Sequence, residues 1–318
     1  MHFDPSFIYH VSLEQEPCII GPIHPVFYKS YGIKQADFDF TMFDLIKAVL
    51  YMGMKPGMIF AKSRKAELEF KFAMVNAALD DEQIPKKPYN YRFVRMNSVF
   101  IASLDPTEKA AIHYWIGMIF ATLLAHKKFN YKYVIHYSHF KNDPINSVVL
   151  KDITSKLSPD LICVKGHYEY GVFEAKGMDS IRSDTMLHAI EQLEQIRLVN
   201  GQNPVDSIVS YTRTSTSKLL IRYRDPKEGK ENIEFSLAAA LIWQYTPLVK
   251  LQEELSEGYR ISDYPLISEL LPKGFTLNRF FAEKIKQAEQ YKNPKEYAEF
   301  IGGIHELPEM KFEWNLNG

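Results

Sequence analysis

The chain has 318 residues, of which 46% are hydrophobic and 24% charged, a composition typical of a soluble globular protein with one large domain or two ordinary ones. Its 38 basic and 39 acidic side chains give a formal net charge of −1, which excludes a strong overall attraction to nucleic acid or an anionic membrane and leaves such binding to a local patch or a partner. The two cysteines, Cys18 and Cys163, suggest neither a disulfide framework nor a structural zinc site, and a reducing cytoplasm fits them best.

The N-terminal sequence MHFDPSFIYH lacks the basic segment and apolar run of a signal peptide, so we predict no export. The most apolar helix-like stretch, residues 110–125, is interrupted by His113 and is shorter than the roughly 18 apolar residues that span a bilayer. We therefore expect a buried core helix, a cytoplasmic location and no membrane association.

In the first part of the chain, residues 40–53 and 64–81 carry apolar side chains at helical spacing, with Gly53 and the Asp80-Asp81 pair as stop signals. These patterns predict helices whose apolar faces form ordinary core. Pro-rich or charged joints at 84–92, 223–232 and 271–276 indicate loops. We predict a mostly helical N-terminal region over residues 1–104.

A helix-start signal opens the middle part of the chain. Asp105 is a candidate N-cap, Pro106 suits the first helical position, and Glu108 lies where a capping-box acid belongs. The helix is predicted to reach about residue 127, and the β-branched and aromatic segment 131–140 is predicted to be a strand. Residues 160–165 and 169–176 are predicted as two more strands, joined by a short loop at 166–168.

After this hairpin, residues 183–201 have helical periodicity, with Ser183 as a candidate N-cap and Asn200-Gly201 as a stop signal. Residues 206–214 and 218–225 are predicted as strands, and the order of elements predicts an α/β fold, a mixed sheet with helices on its faces. Segments 235–255 and 276–293 are amphipathic and predict a helical C-terminal region, residues 231–318, packed on a core of residues 105–230.

Charged side chains interrupt the apolar hairpin. Glu174 and Lys176 are two residues apart on one strand and therefore emerge on the same face. If residues 166–168 form a three-residue loop, Asp160 lies directly opposite Glu174, whereas a two-residue loop would pair Asp160 with residue 173 and separate the carboxylates. The alternative explanation is a surface strand on which Glu174 and Lys176 form a weak ion pair.

Two carboxylates this close repel each other unless a cation lies between them, and a hard ion such as Mg²⁺ prefers carboxylate oxygen. Lys176, one position further along the same face, is suited to orient or deprotonate an attacking water. Together these residues favour phosphodiester hydrolysis.

The sequence Pro159-Asp160, thirteen residues, then Glu174-Ala175-Lys176 resembles the signature of the PD-(D/E)xK nuclease superfamily. The resemblance extends to a restriction-endonuclease-like core of helix, three antiparallel strands, helix and strand, matched by residues 105–214. It implies that Asp160 and Glu174 are metal ligands, that the Ala175 carbonyl assists, and that Lys176 handles the attacking water.

The resemblance also implies an acidic residue on the helix before the sheet and a Gln or Lys on the helix after it. Glu108 and Gln192 are the candidates, although Glu108 is also explained by the capping box and Gln195 is a neighbouring alternative to Gln192. Tyr211 and Arg213 share a face of the strand after that helix and are candidates for contacting a phosphate.

We therefore expect a Mg²⁺-dependent DNA endonuclease, with Mn²⁺ as a substitute, and by analogy a prokaryotic restriction or antiphage setting. RNA as the substrate is an open alternative, as is a nuclease-like nucleic-acid-binding or assembly module. A homodimer or a protein partner that supplies specificity or activation is also open, because the sequence has no known base-reading motif.

Overall fold

A computed structural model describes residues 4, 6–15, 34–52, 62–141, 149–151, 157–165, 169–180, 182–216, 218–224, 229–256, 265–270 and 279–288. The chain divides into two compact units. Unit 1 comprises residues 1–52, 74–137 and 153–233, and unit 2 comprises residues 53–73, 138–152 and 234–318. The predicted loop at 166–168, the predicted joint at 271–276 and Cys18 lie outside the described residues.

The described helices are α1 Met42–Tyr51, α2 Lys62–Ala78, α3 Ser98–Ser103, α4 Pro106–Lys127, α5 Tyr137–Lys141, α6 Ser183–Leu193, α7 Leu237–Ser256, α8 Pro265–Leu270 and α9 Arg279–Ala288. The described strands are β1 Ile8–Gln15, β2 Lys34–Thr41, β3 Leu79–Gln83, β4 Tyr91–Met96, β5 Tyr133–His136, β6 Val149–Lys151, β7 Leu161–Lys165, β8 Glu169–Met178, β9 Ile196–Val199, β10 Asp206–Thr214, β11 Leu219–Arg224 and β12 Glu231–Phe235.

The main sheet has the strand order β3-β4-β1-β11-β10-β8-β7-β5, and β2 also pairs with β1. Its pairs β1·β4, β1·β11 and β8·β10 are parallel, and the others are antiparallel. The sheet is therefore mixed and mostly antiparallel, and the fold is mixed α/β as predicted. A smaller set of pairs joins β6, β12 and β9.

The predicted order of helix, three antiparallel strands, helix and strand is present as α4, β5, β7, β8, α6 and β10. The last strand, β10, runs parallel to β8 and lies beside it. The chain adds α5, β6 and β9 between these elements. The strand that carries Glu174 and Lys176 is therefore covered on both edges by neighbouring strands.

Helix α4 begins as predicted. The Asp105 carboxylate accepts hydrogen bonds from the amides of Thr107 (2.7 Å) and Glu108 (2.9 Å), and the Glu108 carboxylate accepts one from the Asp105 amide (2.9 Å). Residues 116–125 of α4 are buried, which confirms a core helix. Within the described part of the chain, no helix combines the length and apolarity needed to cross a membrane.

The predicted strand over residues 131–140 is shorter than expected. It ends at His136, and residues 137–141 form α5. His136 pairs with Leu161, the first residue of β7, so the antiparallel ladder has no partner strand beyond that point. Composition alone does not show where a partner strand ends, and this explains the error.

The predicted helix over residues 183–201 is also too long. Helix α6 ends at Leu193, and residues 196–199 form β9, which pairs in parallel with β12. Asn200 and Gly201 adopt positive φ values of 50° and 78°, so the Asn-Gly signal marks a turn after a strand instead of a helix end. Arg182, not Ser183, occupies the N-cap and makes no side-chain cap bond.

The region 1–104 contains strands β1–β4 besides its helices, and these strands were not predicted. A signal for β2 was present, because buried Phe38 and Phe40 alternate with the exposed Asp37 and Asp39. The Asp80-Asp81 pair, read as a helix stop, lies within β3. Helix α2 ends two residues earlier, at Ala78.

In unit 2, α7 and α9 correspond to the two predicted C-terminal helices, and residues 276–278 and 289–293 of the second prediction lie outside the described residues. The Glu69 carboxylate accepts hydrogen bonds from the amides of Leu266 (2.7 Å) and Ile267 (2.8 Å) at the start of α8. This contact satisfies free amides at the helix end. Residues 231–235, predicted to begin the helical C-terminal region, form β12.

Candidate active site

The hairpin register brings the two predicted carboxylates together. Lys165 pairs with Glu169 and Leu161 pairs with Phe173, so Asp160, the residue before β7, lies opposite Glu174. This is the register expected for a three-residue loop, and it excludes the alternative in which Asp160 faces residue 173. The two side chains therefore emerge on the same face of the sheet.

The Asp160–Glu174 pair is of the closer kind found in antiparallel strands. The Asp160 carbonyl accepts a hydrogen bond from the Tyr137 amide (2.8 Å), so its ladder bond is made on the β5 side. Residues opposite each other without mutual backbone hydrogen bonds have the shorter Cα separation, about 4.5 Å, and the closer side chains. The Asp160 amide donates to Glu174 Oε2 (3.2 Å), and the Ala175 amide donates to Asp160 Oδ2 (2.9 Å).

These contacts place two acids in a poorly hydrated environment. Glu174 has no exposed surface, and Asp160 is half-buried. Burial raises the pKa of Asp160, while the Ala175 amide and the Lys176 charge oppose that rise. Burial and, after it, the charge of Asp160 raise the pKa of Glu174 well above its ordinary value. An additional positive charge at this position would relieve both effects.

Lys176 is held beside the pair by two side chains. Its ammonium contacts Glu174 Oε1 and donates a hydrogen bond to Gln192 Oε1 (2.9 Å). Gln192 in turn donates from Nε2 to the carbonyl of Ser158 (3.2 Å), just before Asp160. Gln192, on α6, therefore links Lys176 to the segment that carries Asp160. Gln195, the alternative, donates to the Glu191 carbonyl (2.9 Å) instead.

A close contact between two glycines fixes α4 behind this strand. A methyl group added at Gly117 would lie 2.6 Å from the amide nitrogen of Gly177 and 2.9 Å from the carbonyl carbon of Lys176. A methyl group at Gly177 would lie 1.8 Å from the carbonyl oxygen of His113. The helix backbone therefore approaches the residue next to Lys176 as closely as glycine allows.

Tyr114, which the sequence did not single out, lies on α4 within range of the charges of the two carboxylates. His113 contacts Thr214 of β10 (2.5 Å), and Gly117 lies against Gly177 of β8. At about 100° per residue, Tyr114 lies on the far side of Gly117 from His113, toward the beginning of β7. Burial raises the pKa of Tyr114, and the charges of Asp160 and Glu174 raise it further.

The other sequence candidates lie at different positions. The Glu108 carboxylate is used in the capping box, six residues or about 9 Å of helix before Tyr114. Tyr211 pairs with Lys176 in the parallel register but is fully buried, and its hydroxyl lies 3.1 Å from the Ser180 carbonyl. Arg213, two residues later, is exposed.

The donor set fits a magnesium ion. Mg²⁺ is usually held by one or two carboxylates and retains several waters, which matches Asp160 and Glu174. The Ala175 N–H points toward β7. In an antiparallel pair the N–H and C=O of one residue face the same neighbouring strand, so the Ala175 carbonyl also faces β7. Pro159 lies opposite Ala175 when the register is continued and has no N–H, so the ladder supplies no donor to the Ala175 carbonyl.

The described residues contain no group of three or more His, Cys, Asp or Glu side chains arranged around a common metal position.

Comparison of the chain with protein-family models gave no match, and neither did comparison with curated proteins or with solved structures. The geometry of the site therefore carries the functional argument.

Proposed function

We propose that this protein is a Mg²⁺-dependent endonuclease with a restriction-endonuclease-like core, and that it hydrolyses phosphodiester bonds in DNA. The observation that carries the proposal is the Asp160–Glu174 pair, with the Lys176 ammonium held beside it. Two carboxyl groups held this close in a poorly hydrated place are destabilising, and such groups cluster at functional sites. Mn²⁺ has the same preference for oxygen ligands and is proposed to substitute.

Each residue has a separate role in this proposal. Asp160, Glu174 and the Ala175 carbonyl hold the ion, which when bound offsets negative charge on the reacting phosphate. Lys176 has three N–H groups, of which one contacts Glu174 and one bonds Gln192. The third is left to orient the attacking water or to bond a phosphate oxygen.

Gln192 is a positioning residue. Its amide oxygen fixes the Lys176 ammonium and its amide nitrogen fixes the Ser158 carbonyl, so it sets the separation of Lys176 from Asp160. Tyr114 lies within range of the charges of the same carboxylates, which raise its pKa after burial does, and we propose that its hydroxyl donates a hydrogen bond to the bound anion.

Incubation of the purified chain with supercoiled plasmid DNA and Mg²⁺ tests the proposal. We expect nicking or cutting that stops when the ion is chelated and falls by about 100-fold or more in Glu174→Gln and in Lys176→Ala. Glu169→Gln is the matched control, because Glu169 lies on the same strand but is exposed. Unchanged cleavage in both variants would overturn the assignment, and cleavage of RNA in place of DNA would change the substrate.

A further inference from the structure

Two exposed arginines lie beside the Asp160–Glu174–Lys176 group at the C-terminal ends of β8 and β10. Arg213 pairs with Met178, two residues after Lys176, in the parallel register of these strands. Because side chains alternate, Arg213, Tyr211 and Lys176 emerge on the same face. A strand spacing of about 4.8 Å and a two-residue rise of about 6.6 Å place the Arg213 and Lys176 Cα atoms about 8 Å apart.

Arg182 reaches the same place from the loop between β8 and α6. Its amide lies 3.4 Å from the Tyr211 hydroxyl, which itself lies 3.1 Å from the carbonyl of Ser180. Tyr211 has no exposed surface and sits next to Lys176 in the register. The buried tyrosine therefore fixes the backbone from which the exposed Arg182 side chain extends.

No acid among the described residues neutralises either arginine. Among the described residues, no carboxylate lies within 4.0 Å of the Arg182 or Arg213 guanidinium. The nearby acids make other contacts, since Asp179 bonds the Ser180 hydroxyl and Asp184 bonds the Thr185 amide. By contrast, Arg222, on the next strand and the same face, is paired with Glu14 at 2.6 Å.

We propose that Arg182 and Arg213 bind the backbone phosphates of the DNA strand that continues from the scissile phosphate past the ends of β8 and β10. This inference rests on the proposed function, since it takes the Asp160–Glu174 pair as the place of cleavage. Arginine binds phosphate oxygens through its fixed set of donors, and such contacts position the strand without reading its sequence. Arg182 and Arg213 therefore form a local basic surface for DNA, although the net charge of the protein is only −1.

The salt dependence of DNA binding tests the proposed phosphate contacts of Arg182 and Arg213. Binding of a fluorescein-labelled DNA duplex is measured by anisotropy over a series of NaCl concentrations. Ca²⁺ replaces Mg²⁺, so that a divalent cation with a preference for oxygen ligands is present at the Asp160–Glu174 pair. Each phosphate contact contributes about 0.9 to the slope of log K against log salt. We expect Arg213→Ala and Arg182→Ala each to reduce the slope by about that amount and to weaken binding to unrelated sequences alike.

Arg197→Ala is the matched control. Arg197 is an exposed arginine on β9, beyond the other end of α6, which is about 16 Å long. Its loss is expected to leave the slope unchanged. All three side chains are exposed, so thermal unfolding midpoints close to that of the wild type are expected and serve as the folding check.

The outcomes separate this inference from the proposed function. Cleavage by the wild type with an unchanged slope in both arginine variants overturns the proposed phosphate contacts and leaves the nuclease assignment in place. Reduced slopes in the arginine variants, without cleavage by the wild type, support the proposed phosphate contacts and overturn the nuclease assignment. Neither binding nor cleavage overturns both, and preferential displacement of the duplex by an RNA hairpin of equal length overturns DNA as the ligand.

Discussion

Asp160 lies opposite Glu174 across the β7–β8 hairpin, and the Ala175 amide, next to Glu174, donates a hydrogen bond to Asp160 Oδ2 (2.9 Å). The strand that supplies one carboxylate therefore also orients the other. Because Glu174 is fully buried, the two like charges are held together without the screening that water provides. Stability is reduced locally at the point where a cation is proposed to bind.

The first prediction follows from this repulsion. Mg²⁺ is expected to raise the free energy of unfolding of the wild type, by about 2.7 kcal/mol when its concentration is 100 times the dissociation constant. Glu174→Gln removes the carboxyl group whose ionisation is opposed by burial and by Asp160, so this variant is expected to be more stable than the wild type without the ion and to gain nothing from Mg²⁺. Thermal or urea unfolding with and without Mg²⁺ measures both effects. Glu169→Gln should keep the Mg²⁺ response, and a wild type that does not respond to Mg²⁺ would contradict the site.

The second prediction concerns Gln192. Because it fixes the Lys176 ammonium without touching the carboxylates, Gln192→Ala is expected to lower kcat by about 10-fold and to leave the Mg²⁺ stabilisation intact. Gln195→Ala is the control, since its side chain bonds the Glu191 carbonyl and not Lys176. Steady-state cleavage kinetics separate the two variants. Equal loss in both, or loss of the Mg²⁺ response in Gln192→Ala, would mean that Gln192 has only a structural role.

The hairpin register was predictable because a period of two fixes which side chains share a face. Once 165 is paired with 169, the positions of Asp160 and Glu174 follow. The start of α4 was predictable for a similar reason, since the Asp105 and Glu108 caps are local contacts. Both features depend on residues close in sequence, three positions apart in the cap and fourteen in the hairpin.

Tyr114 and Arg182 were not predictable, because their roles depend on contacts between distant parts of the chain. Tyr114 comes within range of the carboxylate charges because Gly117 and Gly177 bring α4 against β8. Arg182 is placed by the hydroxyl of Tyr211, 29 residues away. The end of β5 depends in the same way on where β7 begins. The glycines were visible in the sequence, but nothing local showed that they meet.

The third prediction tests that contact through Gly117→Ala. Alanine is favoured over glycine within a helix by about 1 kcal/mol, so propensity alone predicts stabilisation. The added methyl group would meet the backbone of Gly177 at 2.6 Å, however, and overpacking of this kind costs about 1–3 kcal/mol. Since backbone atoms cannot rotate away, we expect net destabilisation and lower cleavage, because Lys176 is displaced.

Urea unfolding and the plasmid assay measure these effects. Ala111→Gly, at an exposed position of α4, should lose about 1 kcal/mol and keep its activity, and a stabilised Gly117→Ala would refute the close contact.

The fourth prediction concerns the Tyr114 hydroxyl. Tyr114→Phe keeps the ring and removes the donor, so cleavage is expected to fall by about 10-fold while DNA affinity and the Mg²⁺ response are kept. Because Tyr114 is 42% exposed, removal of its hydroxyl is expected to leave the free energy of unfolding unchanged. Tyr89→Phe, at a 67% exposed tyrosine on the β3–β4 loop, is the control. Full activity in Tyr114→Phe would exclude a role for the hydroxyl.

The last prediction concerns His126, a partly buried residue at the end of α4 whose ring Nε2 is shielded from solvent. Its Nδ1 donates to the Tyr131 carbonyl (2.7 Å), its Nε2 has no hydrogen-bond partner among the described residues, and the ring packs against Tyr51 at 5.1 Å. Burial lowers the pKa of His126 to about 3, and Lys47 adds to this, with Asp44 opposing it. The unfolded chain therefore binds a proton between about pH 6.5 and 3 that the folded protein does not.

Stability contributed by the neutral ring is complete above about pH 6.5 and is lost as the pH falls through the unfolded value, at up to about 1.4 kcal/mol per pH unit. His126→Gln removes the titrating group, so its unfolding free energy should fall less steeply with acidification than that of the wild type. Urea unfolding at several values between about pH 4 and 7, where the histidine of the unfolded chain takes up its proton, compares the two slopes. The carboxylates that both proteins share cancel in the difference. His188→Gln, at a histidine whose side chain is 55% exposed, should leave the wild-type slope unchanged. Parallel curves for the wild type and His126→Gln would show that His126 binds a proton equally well in the folded and unfolded states, and would contradict a lowered pKa in the folded protein.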